Sequence, residues 1–274
     1  MLDFIVDRNV CQKCGLCAKV CPANIIDMID GHPSISPEKE ENCYRCQHCF
    51  TACSTGAISI LGRDPKNSRP VEEGRIDPDR FEIFIKGRRS ARFFRDEDLD
   101  PALIRRLLDV AWHAPSGRND RHTRFTVIDK KDNLAKLREL LVSGIEQRAR
   151  EGTLPEGREF VADLARMWTQ KKVDVIFRGA PHLLIVSSPK RGVSPVPDCL
   201  IALSYFDLFA QSLGVGTLWG GFVKMAVDEL VPESRSFLKI PSDHLIGYAM
   251  PFGSPAVKYA RTAQRGPANT HTVG

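Results

Sequence analysis

The sequence predicts an α+β protein in two parts: a small cysteine-rich unit at residues 1–62 and a larger domain at 81–274, joined by a linker at 63–80. Three observations predict it. Eight of the nine cysteines fall between positions 11 and 53, in two runs of the same spacing. Residues 63–80, RDPKNSRPVEEGRIDPDR, are rich in proline, glycine and charge, a composition that keeps a segment on the surface. Beyond them, short apolar runs of strand length are interspersed with long helical patterns, without the regular βαβ order of a parallel sheet.

Composition bounds the class. The 274 residues, 42% hydrophobic and 27% charged, have the balance of a globular chain that can bury a sizeable core. No apolar run approaches the ~18 residues of a membrane span. The N-terminus MLDFIVDRNVC lacks the basic-then-apolar order of a secretory signal. The expectation is a cytoplasmic protein with no membrane partner, whose thiols stay reduced. Clustered cysteines then read as metal ligands rather than disulfides. The net charge of +5 divides into −2 over residues 1–62 and +7 over the rest. A basic domain fits a phosphorylated cofactor as well as nucleic acid. No zinc-finger, RNA-binding or basic-helix motif accompanies it, so no nucleic-acid partner is expected.

In the N-terminal unit, Cys11, Cys14, Cys17 and Cys21 have the spacing Cys-x2-Cys-x2-Cys-x3-Cys, followed by Pro22. Cys43, Cys46, Cys49 and Cys53 repeat it, with Ser54 in place of the proline. Three thiolates two residues apart on a tight loop can wrap three corners of an iron–sulfur cube. The fourth points elsewhere, and in two-cluster ferredoxins it ligates the other cluster. The expected ligand sets are Cys11, Cys14, Cys17 and Cys53 for one [4Fe–4S] cluster, and Cys43, Cys46, Cys49 and Cys21 for the second. Each run leads through small residues into a short apolar strand, PANIIDMI or STGAISIL. The unit resembles the two-cluster bacterial ferredoxins. Structural zinc, the alternative, uses four ligands in two pairs. Neither run has a histidine ligand or an open corner, which favours electron transfer over chemistry at a cluster.

In the larger domain, Asp100 as N-cap and Pro101 at the first position open a helix. Its Leu103, Ile104, Leu107, Leu108 and Ala111 share one face, and Pro115 and Gly117 end it. FTVI (125–128) reads as a strand, 134–150 as an amphipathic helix, and 151–177 as a partly helical candidate cover. HLLIVSS (182–188) is a buried strand. DCLIALSYFDLFAQSL (198–213), apolar on nearly all sides, is a core or interface helix. AVDELVPESRSFLKI includes a short helix, and HLIGYAM (244–250) is the last strand. Cys199 reads as a small buried hydrophobe, and Asp198 as a helix cap.

Four separated stretches carry candidate binding chemistry. GRRSARFF offers Arg88, Arg89, Ser90 and Arg92, the multidentate cations and hydroxyl that a phosphate needs, although alone it is an ordinary basic turn. APSGRNDRHTRF contains Pro115, Ser116, Gly117 and Asn119. GVGTLWGGF places Gly220 and Gly221 where bare backbone can approach a planar ring. PAVKYARTAQR ends the domain with Lys258 and Arg261. In this order, with Arg178-Gly179-Ala180-Pro181 before a strand, they resemble the nitroreductase family, FMN enzymes built as intertwined homodimers. The likeness spans roughly residues 84–262.

The resemblance implies a mixed, mostly antiparallel sheet with flanking helices. It implies that Arg88, Arg89, Ser90 and Arg92 hold the FMN phosphate and ribityl chain, joined by Lys258 and Arg261. It further implies that Pro115, Ser116, Gly117 and Asn119 reach the flavin across the dimer, and that Gly220 and Gly221 lie at the N5 edge. Arg121, His122 and Thr123 depart from the family's Gln-Pro-Trp, and Ala249 replaces the proline after Tyr248. No Gly-x-Gly-x-x-Gly follows a strand, so no Rossmann site is expected.

The expectation is thus an iron–sulfur flavoprotein in which two [4Fe–4S] clusters and FMN exchange electrons. Hydride from flavin N5 would reduce a small organic acceptor: a nitroaromatic, a quinone or an activated alkene. No catalytic side-chain acid or base is nominated. The donor is reduced ferredoxin or NAD(P)H. Two alternatives use the same residues: flow from NAD(P)H through FMN out to a ferredoxin-type partner, and a non-enzymatic redox carrier or sensor.

Overall fold

The computed structural model describes residues 2–274. The chain divides into two compact units, Met1–Asp77 with Arg118–Asp120, and Pro78–Gly117 with Arg121–Gly274.

The first unit holds β1 (Ile5–Val6), α1 (Leu16–Lys19), β2 (Asp27–Ile29), β3 (His32–Ser34), α2 (His48–Thr51) and β4 (Ile58–Ser59). β1 pairs antiparallel with β4, and β2 with β3. The sequence repeat is also a backbone repeat. Lys13 and Arg45, Gly15 and Gln47, and Asn24 and Gly56 occupy equivalent positions in the two runs. All six have positive φ, between 51° and 69°. Only glycine adopts this conformation without steric cost. The second run nevertheless puts Gln47 where the first has Gly15, so the loop geometry prevails over local preference. The core is small: Leu2, Ile25, Ile26, Phe50, Ile58 and Ile60, completed by Cys17 and Cys49.

Residues 63–77 run as exposed turns, Pro65–Asn67 and Val71–Gly74 among them. Helix α3 (Pro78–Gly87) then begins inside the stretch expected to be linker. Proline is pre-organised for the first helical position, a signal the dense proline and charge around it masked.

The second unit continues with α4 (Pro101–Trp112), β5 (Arg124–Ile128), α5 (Lys131–Glu151), α6 (Val161–Lys171), β6 (His182–Pro189) and α7 (Pro195–Ser212). It ends with β7 (Gly216–Thr217), α8 (Gly221–Met225), a π turn at Ala226–Leu230, α9 (Ser234–Phe237) and β8 (His244–Gly253). The sheet order is β5-β6-β8-β7, and all three pairings are antiparallel. Asp100 caps α4 as expected, its Oδ1 accepting the Ala102 N–H at 2.8 Å.

β6 is buried from His182 through Ser188 because both of its faces are covered. Alternate side chains separate the two cores, as the period of a strand requires. Leu183 and Ile185 pack with Leu134, Leu137, Leu141 and Ile145 of α5. Leu184 and Val186 pack with Leu107 of α4 and with Cys199, Leu203 and Phe206 of α7. β6 and β8 slip register between Val186 and Ser187, which leaves Gly247 as the extra residue of a bulge. A Cβ at Gly247 would lie 2.1 Å from Cys199 Cβ, so α7 rests directly on the β8 backbone there. Cys199 is fully buried and burial pushes its thiol up to about 12, consistent with a packing role.

Candidate functional site

Two cavities open in the first unit, each lined by four cysteines. One is lined by Cys11, Cys14, Cys17 and Cys53. The other is lined by Cys21, Cys43, Cys46 and Cys49. Each combines three cysteines of one run with the fourth of the other. Among the described residues, no three His, Cys, Asp or Glu side chains close to the spacing of a single metal ion. The donor set and the cavities therefore fit two iron–sulfur clusters.

The thiols are not equivalent. Burial pushes Cys49 up to about 11 and raises Cys17 and Cys43. Cys53 differs: burial raises it, but hydrogen bonds outweigh that and hold it below the usual thiol range. Its Sγ accepts the Ala57 N–H at 3.2 Å and lies 3.6 Å from the Thr55 hydroxyl. The position equivalent to Thr55 in the first run is Ala23, which has no hydroxyl.

In the second unit, residues 88–95 are laced between two other segments. The Ala91 N–H donates to Thr217 O at 2.8 Å. On the other side, Arg95 N–H donates to Ser254 O, Ala256 N–H to Phe93 O, and Tyr259 Oη to Ser90 O. The first and fourth predicted stretches thus meet. An open cleft of about 960 Å³ has Arg89, Gln211, Thr217, Lys258 and Tyr259 in its lining. Arg88, Arg89 and Ser90 are half-buried and Arg92 and Arg261 exposed; of these, Arg89 alone is in that lining. Arg88 Nη1 and Arg89 Nη2 are buried without a hydrogen-bond partner. The Arg89 donor beside the open cleft fits an anionic group such as a phosphate, while Arg88 lies outside that lining with its Nη1 toward Asp207.

The third stretch joins the first through a residue the sequence reading passed over. Asp207, buried in α7, accepts Trp219 Nε1–H at 2.9 Å and the Thr217 hydroxyl, and faces Arg88 Nη1 at 3.6 Å. One signal was available: a carboxylate inside an otherwise apolar helix is rare unless it has partners. Gly220 is also explained within the domain. Its N–H donates to Ala249 O at 2.9 Å, and a Cβ there would lie 2.7 Å from Pro251 Cδ. Next to Gly221, the Phe222 ring stands 6.4 Å from that of Phe160, which belongs to the 151–177 segment.

The second stretch is divided. Ser116 Oγ accepts the Arg121 N–H, and Asp198 Oδ1 accepts the Gly117 N–H, both at 3.0 Å. Asp198 lies in the first turn of α7 and holds this loop; the N-cap position belongs to Ser194, which corrects the expected role. Arg118, Asn119 and Arg121 all have φ between 51° and 56°, a concentration of backbone strain. Within the first unit, Asn119 Nδ2 donates to Tyr44 O at 2.9 Å, and the Arg118 guanidinium lies over the Tyr44 ring. Arg121 folds onto Trp112, its guanidinium 4.5 Å from the ring centre. That cation is thereby engaged inside its own domain.

The family model described as "Nitroreductase family" matches residues 85–254. The chain belongs to the nitroreductase family. The "4Fe-4S dicluster domain" model matches residues 10–58 ahead of it. The nitroreductase-family domain is similar to iodotyrosine deiodinase of Danio rerio, 27% identical over 65% of this chain and 61% of that protein. The N-terminal part is 36% identical to an uncharacterized ferredoxin of Methanocaldococcus jannaschii, over 24% of this chain and 86% of that protein. Among solved structures, a nitroreductase with bound FMN from Bacteroides fragilis NCTC 9343 superposes with a TM-score of 0.56 at 22% identity. That match covers 70% of this chain and 96% of the other, and it supports the α+β nitroreductase fold. Among the described residues, no helix is long and apolar enough to cross a membrane.

Proposed function

We propose that this nitroreductase-family protein is an oxidoreductase in which two [4Fe–4S] clusters deliver electrons to FMN for the reduction of a small organic acceptor. One observation carries the reading: two four-thiol cavities, each built from both cysteine runs, occur in the same chain as a nitroreductase domain. When bound, the clusters would supply one-electron transfer, and FMN the step from one-electron to hydride chemistry.

The chain's own residues do the rest. Cys11, Cys14, Cys17 and Cys53 hold one cluster; Cys43, Cys46, Cys49 and Cys21 hold the other. Arg89, with its unpaired Nη2, and Lys258 take the phosphate of FMN from the cleft lining, with Arg88 and Ser90 adjoining and the exposed Arg92 and Arg261 adding positive charge at that end. Pro115, Ser116, Gly117 and Asn119, together with Gly220 and Gly221, flank the ring in a homodimer. Phe160 brings the 151–177 segment to Phe222 beside that ring, as a cover that excludes water. The likeness to an iodotyrosine deiodinase adds halogenated phenols to nitroaromatics, quinones and activated alkenes as acceptor classes.

The test begins with anaerobic purification. About eight irons and one FMN per chain are expected from two four-iron clusters and one flavin site. Reduced ferredoxin and NADPH are then offered in separate stopped-flow runs, and acceptor consumption is followed. A flavin that stays oxidised with both donors would sink the reading. Flavin bleaching by NADPH followed by cluster reduction would reverse its direction.

A further inference from the structure

Asp207 is a charged side chain in the middle of α7, at 3% exposure, among Cys199, Leu203, Phe206 and Ala210. Burying a carboxylate costs several kcal/mol unless it is paired and hydrogen-bonded. Its partners come from two of the separated stretches: Arg88 from the first, Thr217 and Trp219 from the third. The bond with Arg88 is loose. At 3.6 Å it is an ion pair without a hydrogen bond, and Arg88 Nη1 keeps its donor capacity.

We infer that Asp207 is a positioning residue for the flavin nucleotide. It sets the distance between Arg88, the chain neighbour of the cleft-lining Arg89, and the tryptophan beside Gly220 and Gly221, without touching the ligand. The inference rests on the FMN reading above. Asp207 Oδ2 receives the indole N–H and faces Arg88, so a single carboxylate oxygen fixes both ends. The carboxylate charge keeps the guanidinium turned inward. A neutral amide would still accept the indole N–H but would release the cation. The phosphate end should therefore suffer and the ring end should not.

The experiment compares FMN with riboflavin, which has the same ring and no phosphate, by quenching of flavin fluorescence on the full-length, cluster-loaded protein. For Asp207→Asn, FMN affinity is expected to fall by about tenfold or more, the loss of one charge-assisted hydrogen bond. Riboflavin affinity is expected to change less than about threefold. Equal losses for both ligands would mark a merely structural role and overturn the inference, and so would no loss for either. If Asp207→Asn does not fold, Arg88→Gln decides. Collapse of the FMN preference supports the inference, and its retention removes the group Asp207 is said to place. A wild-type chain that binds neither flavin would remove the FMN reading itself, and this inference with it.

Discussion

Among the described residues, the first unit has a core cluster of six buried apolar side chains, eight thiols lining two cavities, and no strand longer than three residues. The second is organised on β6, buried over seven consecutive residues with an apolar core on each face. So small a core as the first unit's does not offset the entropy of ordering its chain. Its cohesion must come from bonds that the thiols make, whereas the second unit is stable by burial. Cofactor loss should therefore unfold one unit and merely empty the other.

The largest effect is expected from breaking that asymmetry at the cysteines. Anaerobic chelation of iron, or Cys17→Ala, should abolish hydrogen-exchange protection across residues 2–62 while β6 and α7 stay protected. Protection that survives in the first unit would show its apolar core to be sufficient. The converse change is Leu184→Ala. It should destabilise the second unit by about 2–5 kcal/mol, read as a lower denaturation midpoint with the iron content unchanged.

Next comes the cleft. Arg89→Ala should weaken FMN binding by about ten- to a hundredfold, the value of a charge-assisted bond. The cluster spectrum should not move.

Acidity offers a further contrast. Burial holds His182 below its usual pKa, with the carboxylates of Asp98 and Asp129 opposing, and its Nε2 must stay unprotonated to accept the Leu99 N–H at 2.8 Å. The unfolded chain then binds the extra proton first. The contribution is complete above about pH 6.5 and is lost as pH falls below it. His244, also lowered by burial, acts in the same direction. The melting temperature of the second unit should fall from pH 7 to pH 5, and His182→Asn should flatten that slope.

The smallest effect concerns the two cavities of the first unit. A hydroxyl donating to a ligand sulfur favours the more negative, reduced cluster. Thr55→Val should therefore move one of two waves in an anaerobic redox titration to more negative potential. Two unmoved waves would mean that Thr55 does not act on Cys53.

How much of this was legible in the sequence differs between the units for the same reason. Spacings of two and three residues marked all eight cysteines as cluster ligands, and the likeness to two-cluster ferredoxins, in which the fourth cysteine crosses over, sorted them into the sets that line the two cavities. The short apolar run of HLLIVSS after the turn Gly179-Ala180-Pro181 likewise revealed a buried strand, and Asp100-Pro101 a helix start. The flavin-side motifs lie up to about 170 residues apart in the chain, and only tertiary packing shows that Ser90 meets Tyr259 or that Arg88 faces Asp207. Asp207 was hidden because its partners come from other segments. α3 was hidden by a composition typical of linkers. Gly220 was noticed for a ring it could approach, yet β8 already requires a glycine there.

The lacing of residues 88–95 to 254–259 has a consequence for biosynthesis. The arginine stretch leaves the ribosome about 160 residues before the segment it pairs with, a wait of roughly ten to thirty seconds at ordinary elongation rates. The cysteine-rich unit is complete by then and can receive metal while translation continues. The cleft lined by Arg89 and Lys258 is assembled only with the last stretch of the domain. Chain order thus lets metal enter before the cleft exists, and a message truncated near its end would yield a chain with its cysteine-rich unit complete and its cleft unable to close.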